Sequence, residues 1–304
     1  MSADPRLKWL ELSPDYRCNN RCLGCFSVSD SGDSMSGREI AGFLELGRRR
    51  GANKLWLGGG EPTLRKDLLA TIRTARKLGY SDVKLQTNGM LLAYPEFVQK
   101  LCAAGLTEVS FSLKGADAAS HDRLTATPGC FELLVKGIEL CRAAGLALEG
   151  DVLIYKSSAP ELPSLIQRFF ALGLQRFNLW LLSAAGSTDA AVVSELPRIS
   201  EVMPYILEAM DLKLSPRADF ITSLHTPPCT VPASHAQCRF HAAELGLLVG
   251  NPGGYHFMLE DSPIEGGVYF ERCSGCSLRS QCSGVRADYI ERYGEAEFQP
   301  PSGG

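Results

Sequence analysis

The chain has 304 residues, 45 % hydrophobic and 21 % charged, which is enough apolar content to bury one large core or two modest ones and excludes a disordered or fibrous polymer. Its 31 Lys and Arg against 34 Asp and Glu give a net charge of −3, so no general basic field exists to hold a nucleic-acid backbone or an anionic membrane. No apolar run approaches the ~18 residues of a spanning helix, and residues 1–5 lack the pattern of a signal peptide, so the expected compartment is the cytoplasm.

Apolar, β-branched or aromatic runs predict strands at 7–12, 54–57, 83–87, 108–113, 146–154 and 176–182. Between them lie segments of helical period, such as 40–47, where Ile40, Phe43, Leu44 and Leu46 share a side. Gly51, Gly79, Gly105, Gly145 and Gly173 each close such a segment, as expected where a helix ends in a left-handed residue. Strand and helix repeated in this way give an α/β fold of parallel strands, either an open sheet or a barrel-like arc. In both, chemistry gathers at the carboxyl ends of the strands. Beyond Ala184 the rhythm fails. From Leu214 the chain becomes rich in Pro, Gly and Cys, and the reading is two units: a barrel over 1–212 and a loop-rich, metal-stapled extension over 213–304.

Eleven cysteines without an export signal argue for metal or redox chemistry rather than a disulfide framework. Cys102, Cys130 and Cys141 stand alone and read as small buried hydrophobes. Cys18-Asn-Asn-Arg-Cys22-Leu-Gly-Cys25 follows the first strand. Three thiolates suit zinc, if a distant ligand completes the set, or a 4Fe-4S cube with one iron left open. Leu57-Gly58-Gly59-Gly60-Glu61-Pro62-Thr63 follows the second strand; its glycines permit close backbone approach, and Glu61 offers an acceptor for an amine.

These motifs, with Thr87-Asn88-Gly89, Ser110-Phe111-Ser112-Leu113-Lys114-Gly115 and His121-Asp122-Arg123, make the chain resemble the radical S-adenosylmethionine (radical SAM) enzymes over about residues 7–186. The resemblance implies a partial (βα)6 TIM-like barrel in which Cys18, Cys22 and Cys25 hold a 4Fe-4S cluster. Its open iron takes the amine and carboxylate of S-adenosylmethionine, and reduction releases a 5′-deoxyadenosyl radical that abstracts a substrate hydrogen. The outcome is dehydrogenation, epimerisation, cross-linking or fragmentation. Gly59, Gly60 and Glu61 are expected at the methionine amino group, Asn88 and Ser112 beside the cofactor, and Arg123 at the methionine carboxylate. Many members carry an aromatic residue before the third cysteine; this chain has Gly24, and Phe26 is the substitute candidate. Lys114 stands where relatives often carry Asp.

Cys273-Ser-Gly-Cys276, five residues, then Cys282 resembles the end of the SPASM and twitch extensions that hold auxiliary clusters. The SPASM pattern has a further Cys where this chain has Arg286, so one auxiliary 4Fe-4S cluster is expected rather than two. Cys229, in the stiff Pro227-Pro228-Cys229 turn, is the expected fourth ligand and Cys238 the reserve. His225, His235, His241 and His256 lack ligand spacing and read as loop or surface residues. The resemblance also implies an electron donor such as a flavodoxin or ferredoxin. Only 17 residues precede Cys18, so a peptide substrate would need a separate leader-peptide-binding protein, whereas a small molecule would not. The rival reading is a non-catalytic zinc-binding interaction protein on a barrel scaffold, which has no use for the Gly-Gly-Glu-Pro loop.

Overall fold

The structure, a computed structural model, describes residues 4–25, 33–184, 187–262 and 267–301. All six expected strands form: β1 (Trp9–Leu12), β2 (Lys54–Leu57), β3 (Asp82–Thr87), β4 (Glu108–Leu113), β5 (Ala147–Ile154) and β6 (Arg176–Leu181). Helices α1 (Gly37–Arg50), α2 (Leu68–Lys77), α3 (Pro95–Ala104), α4 (Ala118–Thr125), α5 (Cys130–Ala143) and α6 (Leu162–Leu172) lie between them. Helix α1 shows why the boundaries are legible. Ser36 Oγ accepts from Glu39 N at 3.2 Å while the Glu39 carboxylate returns to Ser36 N at 2.8 Å, a reciprocal cap that stabilises a helix start by ~1 kcal/mol. Gly51 ends the helix at φ 113°, and the other four expected stop glycines also have positive φ.

The segment beyond residue 212 adds β7 (Ile221–Leu224), β8 (Leu247–Gly250) and the short β9 (His256–Met258). The sheet order is β7-β6-β5-β4-β3-β2-β1-β8-β9, parallel throughout except for the antiparallel β8–β9 pair. The result is an α/β fold with an unclosed, partial barrel. The expected loop-rich extension therefore supplies a strand to each flank of the six-stranded arc. Four-residue strands among prolines and glycines are too short to show a period in sequence.

Side chains alternate across the sheet. Leu10, Leu12, Leu55, Leu57, Val83, Leu85, Val109 and Phe111 are buried in the main hydrophobic core, on the helix side. The alternate positions, among them Glu11, Trp56, Lys84, Gln86, Asp151 and Asn178, line a chamber of about 780 Å³ inside the arc. A closed eight-stranded barrel usually fills this space with branched apolar residues. Polar and aromatic ones leave it open here. Among the described residues, no helix is long and apolar enough to cross a membrane.

Candidate active site

The cysteine loop is seated by backbone contacts. Arg21 N donates to Thr125 O at 3.0 Å and Leu23 N to Leu124 O at 2.9 Å, which ties the loop to the end of α4. Tyr155, fully buried after β5, donates its hydroxyl to Leu23 O at 2.9 Å. On the other side, Gly60 N reaches Asp15 O and Glu61 N reaches Arg17 O, both at 2.8 Å. Gly59 has φ 97°, and a Cβ on Gly60 would collide with the Arg17 carbonyl and stand 2.6 Å from Tyr16 C. The two glycines are thus required by the close passage of the chain's own 15–17 segment. Asp15, which belongs to no motif, is 4 % exposed and faces Arg17 and the nearly buried Arg65, whose guanidinium also holds Pro14 O at 3.0 Å and Met35 O at 3.0 Å.

Glu61 lies at the centre of this arrangement, 2 % exposed. Its carboxylate accepts from Thr63 N at 3.0 Å, Thr87 Oγ1 at 2.7 Å, Asn88 N at 2.8 Å and the Thr63 hydroxyl. Burial pushes its pKa up, and the four donors oppose that rise. The side chain expected at the cofactor amine therefore locks the loops after β2 and β3 together. Asn88 extends the lock to the cysteines: its Nδ2 donates to Asn19 Oδ1 at 2.7 Å and lies 3.8 Å from Cys18 Sγ.

Cys18 is pushed up to about 11, first by burial and then by Glu61, Cys22 and Cys25; Cys22 is raised by burial, against the Lys114 ammonium. Thiolates placed this close to one another and to a carboxylate would repel, and a cationic metal centre there would offset that repulsion. Among the described residues no three His, Cys, Asp or Glu are drawn together as a single-ion site.

Gly24, at φ 68°, would place a Cβ 2.7 Å from Leu182 Cδ1, so the end of β6 occupies the space an aromatic residue would need. Phe26 lies outside the described residues. Gly24, Ser112 and Lys114 all line the chamber, at the carboxyl end of the strands. Arg123 does not join them: it is paired with Ser157 Oγ at 3.1 Å and Glu195 at 3.7 Å, with its side chain half exposed. His121 Nδ1 accepts from Lys114 N at 3.3 Å, and burial, reinforced by the Lys114 charge, lowers its pKa to about 4.

Deeper in the chamber wall is a charged set that motif reading missed. Lys84 and Arg176 both pair with Glu149 and Glu108. Burial and the neighbouring Glu149 push Glu108 up to about 7. Above them Asp151 is buried and accepts from Gln86 Nε2 at 2.9 Å, Asn178 Nδ2 at 3.0 Å, Trp180 Nε1 at 3.4 Å and the Ser110 hydroxyl. The signal was present as polar residues at every second place in apolar strands.

Cys229, Cys273, Cys276 and Cys282 line one small cavity together with Tyr269, Phe270 and Phe298. Cys229 is pushed up to about 11 by burial and then by Cys282 and Cys276. Cys238 is 5 % exposed and lies outside that cavity, with Asp211 as its charged neighbour. Arg286, in the place of a further thiol, is buried and donates to Leu181 O at 3.0 Å and Leu182 O at 2.8 Å. Asp288 accepts from Ser183 Oγ and Ala184 N, both at 2.9 Å. This latch joins the chain just after Cys282 to the end of β6, against which Gly24 packs. Of the histidines, His225 lines the chamber edge-on to Trp180 at 5.1 Å, while His235 pairs with Asp211 and His256 packs against Phe43. Cys141 is fully buried as expected and Cys102 half-buried, but buried Cys130 lies 3.0 Å from Thr125 Oγ1 and 3.2 Å from Asp122 Oδ1, a polar setting.

The family model described as the Radical SAM superfamily matches residues 12–175, just over half of the chain. The chain is 33 % identical over 192 residues to an AdoMet-dependent heme synthase of Methanosarcina barkeri, covering 62 % of this chain and 54 % of that protein. It is 29 % identical over 217 residues to a probable GTP 3′,8-cyclase of Saccharolobus solfataricus, covering 70 % and 69 %. The match thus spans only about half the length of the first relative. Among solved structures, Streptococcus suis SuiB bound to precursor peptide SuiA has a similar fold, with TM-score 0.69 at 14 % identity over 97 % of this chain and 75 % of that one. Native anSMEcpe with bound AdoMet and the Cp18Cys peptide aligns with TM-score 0.65 at 14 % identity over 97 % and 93 %.

Proposed function

The chain belongs to the radical SAM superfamily, and from that premise we propose that it abstracts a hydrogen from a peptide or small-molecule substrate held in the barrel chamber. Family membership implies a 4Fe-4S cluster and S-adenosylmethionine as cofactors. Cys18, Cys22 and Cys25 are the proposed cluster ligands. When bound, cluster and S-adenosylmethionine supply the reductive cleavage that yields a 5′-deoxyadenosyl radical. The chain's own part is positional: Gly59, Gly60 and Glu61 hold the cysteine loop, Asn88 approaches Cys18, and Ser112 and Lys114 border the chamber where the cofactor would meet substrate. The walls then shield a reactive species from water.

The observation that carries this reading is that the three-cysteine loop is tied into the strand ends and, through Gly24, forms part of the lining of one large chamber. Arg123, held by Glu195, is given no carboxylate-binding role. Segment 213–304 is proposed as a twitch-like extension whose auxiliary 4Fe-4S cluster is held by Cys229, Cys273, Cys276 and Cys282, supported by their shared cavity. An external electron donor is required. A peptide substrate is supported by the fold likeness to a protein whose structure holds a precursor peptide.

Anaerobic incubation with S-adenosylmethionine and a reductant should release 5′-deoxyadenosine. Replacing Cys18, Cys22 and Cys25 together by Ala should abolish that release and retain roughly half the iron, because the second set has its own thiolates. Full iron retention with intact cleavage would refute the assignment.

A further inference from the structure

The pairing of β6 with β7 stops at Trp180 and Leu224, so the next carbonyls of the chain, those of Leu181 and Leu182, have no acceptor role in that ladder. Left unpaired in a buried place they would cost stability. Arg286 takes both. It is 8 % exposed, and its Nη1 donates to Leu181 O at 3.0 Å while its Nη2 donates to Leu182 O at 2.8 Å, a span that suits the planar fork of a guanidinium. Asp288 completes the grip: it pairs with Arg286 at 3.2 Å and accepts from Ser183 Oγ and Ala184 N, both at 2.9 Å. Arg286 is itself fixed by the segment before it. Gly284 N donates to Cys282 Sγ at 3.3 Å, and Val285 exchanges two backbone hydrogen bonds with Val268, at 2.8 and 3.0 Å.

What the grip holds is Leu182. Its side chain lies in a buried cluster with Leu124 and Tyr155, separate from the main core, and Leu23 packs against that cluster. Leu23 stands between Cys22 and Gly24, with its N–H held by Leu124 O and its carbonyl by the Tyr155 hydroxyl, both at 2.9 Å. Gly24 meets the same leucine, since a Cβ there would stand 2.7 Å from Leu182 Cδ1. Contacts therefore run without a break from Cys282 through Arg286 and Leu182 to the loop of the first three cysteines.

We infer that Arg286 is a positioning residue for the cysteine loop: by holding the end of β6 it keeps Leu182 against Leu23 and Gly24, and so fixes where Cys22 and Cys25 present a cluster to S-adenosylmethionine. The C-terminal segment then acts on the first site through packing, a role independent of electron transfer between the two cysteine sets. This rests on the proposed function above, in which that loop holds the cluster.

The test is a double-mutant cycle on the anaerobic holoenzyme, reading calorimetric affinity for S-adenosylmethionine and the change it causes in the EPR spectrum of the reduced cluster. Arg286→Met should weaken binding about tenfold and diminish the spectral change. Arg286→Lys keeps the charge but loses the fork, so it should recover part of the loss. Leu182→Ala, which leaves the latch in place, should also weaken binding, and adding Arg286→Met or Arg286→Lys to it should cost no more than about a further twofold, because Arg286 acts through Leu182. The lysine arm of the cycle stands even if Arg286→Met fails to fold. A fall in Tm with affinity unchanged, or losses that multiply in the double variants, would overturn the inference and leave Arg286 a merely structural residue. A parent protein that neither binds S-adenosylmethionine nor releases 5′-deoxyadenosine would instead refute the proposed function, so the two failures are distinguishable.

Discussion

Glu61→Gln separates two roles for the carboxylate at the centre of the site. Oε1 receives Thr63 N, the Thr63 hydroxyl and Thr87 Oγ1, and Oε2 receives Asn88 N at 2.8 Å. A glutamine therefore does best by keeping its oxygen at the Oε1 position, which turns its NH2 against the Asn88 N–H. One hydrogen bond to a charged acceptor is lost, worth ~1.5–3 kcal/mol, and a donor is left facing a donor. Neutralising a buried carboxylate returns part of that loss. A net destabilisation of about 2 kcal/mol follows, or a fall in Tm on the order of 3 °C for a chain of this size. Thermal unfolding of the holoenzyme, iron content and calorimetric affinity for S-adenosylmethionine should be measured on one preparation. Tm should fall, and cofactor affinity should fall by about tenfold because the loop carrying Asn88 comes loose. Thr87→Val removes only one donor, should cost about 1 kcal/mol, and should be non-additive with Glu61→Gln. An unchanged Tm with weakened cofactor binding would refute the lock and return Glu61 to direct contact with the amine.

On a background lacking Cys18, Cys22 and Cys25, Cys229→Ala should lower the remaining iron or change its absorption spectrum, and Cys238→Ala should do neither; the reverse would put the wrong thiol in the auxiliary set. His121 is buried with its pKa lowered to about 4 from an ordinary 6.5, so between those values the unfolded chain binds a proton that the folded one does not. Stability should therefore drop as pH falls through that window, by up to about 3 kcal/mol for this group, and urea unfolding of His121→Asn at pH 7 and about 5 should show a smaller loss than the parent. Gly60→Ala drives a Cβ into the backbone of residues 16–17, where no side chain can yield, and should cost the protein its first cluster as measured by iron content. Gly42→Ala, in open space on α1, should instead stabilise by ~1 kcal/mol.

The arc was legible because its helices show their period, several of them closed by a glycine of positive φ as at Gly51 and Gly173, and because their regular alternation locates even the four-residue β1 and β2 between them. The strands β7 and β8 were not, since four residues such as Leu247–Gly250 read equally well as a loop-borne apolar run until pairing with β1 decides the matter. The cysteines were legible as types and spacings, but their grouping depends on the path of the chain: Cys229 and Cys238 are nine positions apart, and only the first enters the cavity of Cys273, Cys276 and Cys282. Glycine had two meanings that sequence cannot separate. Gly59 and Gly60 are bare because Asp15–Arg17 crosses them, whereas a Cβ on Gly58, one position earlier, would stand 3.1 Å from the Gln86 side chain rather than against backbone. The polar set within the barrel follows the same logic. In β3, Lys84 and Gln86 alternate with Val83 and Leu85, the ordinary pattern of a strand with one wet face, yet both polar residues face inward and the apolar ones face the helices. Alternation gives the two faces of a strand but not which is the inside of the arc. Here the choice places charge, amide and indole groups where a filled barrel would have its core, and that inversion is what leaves room for a substrate.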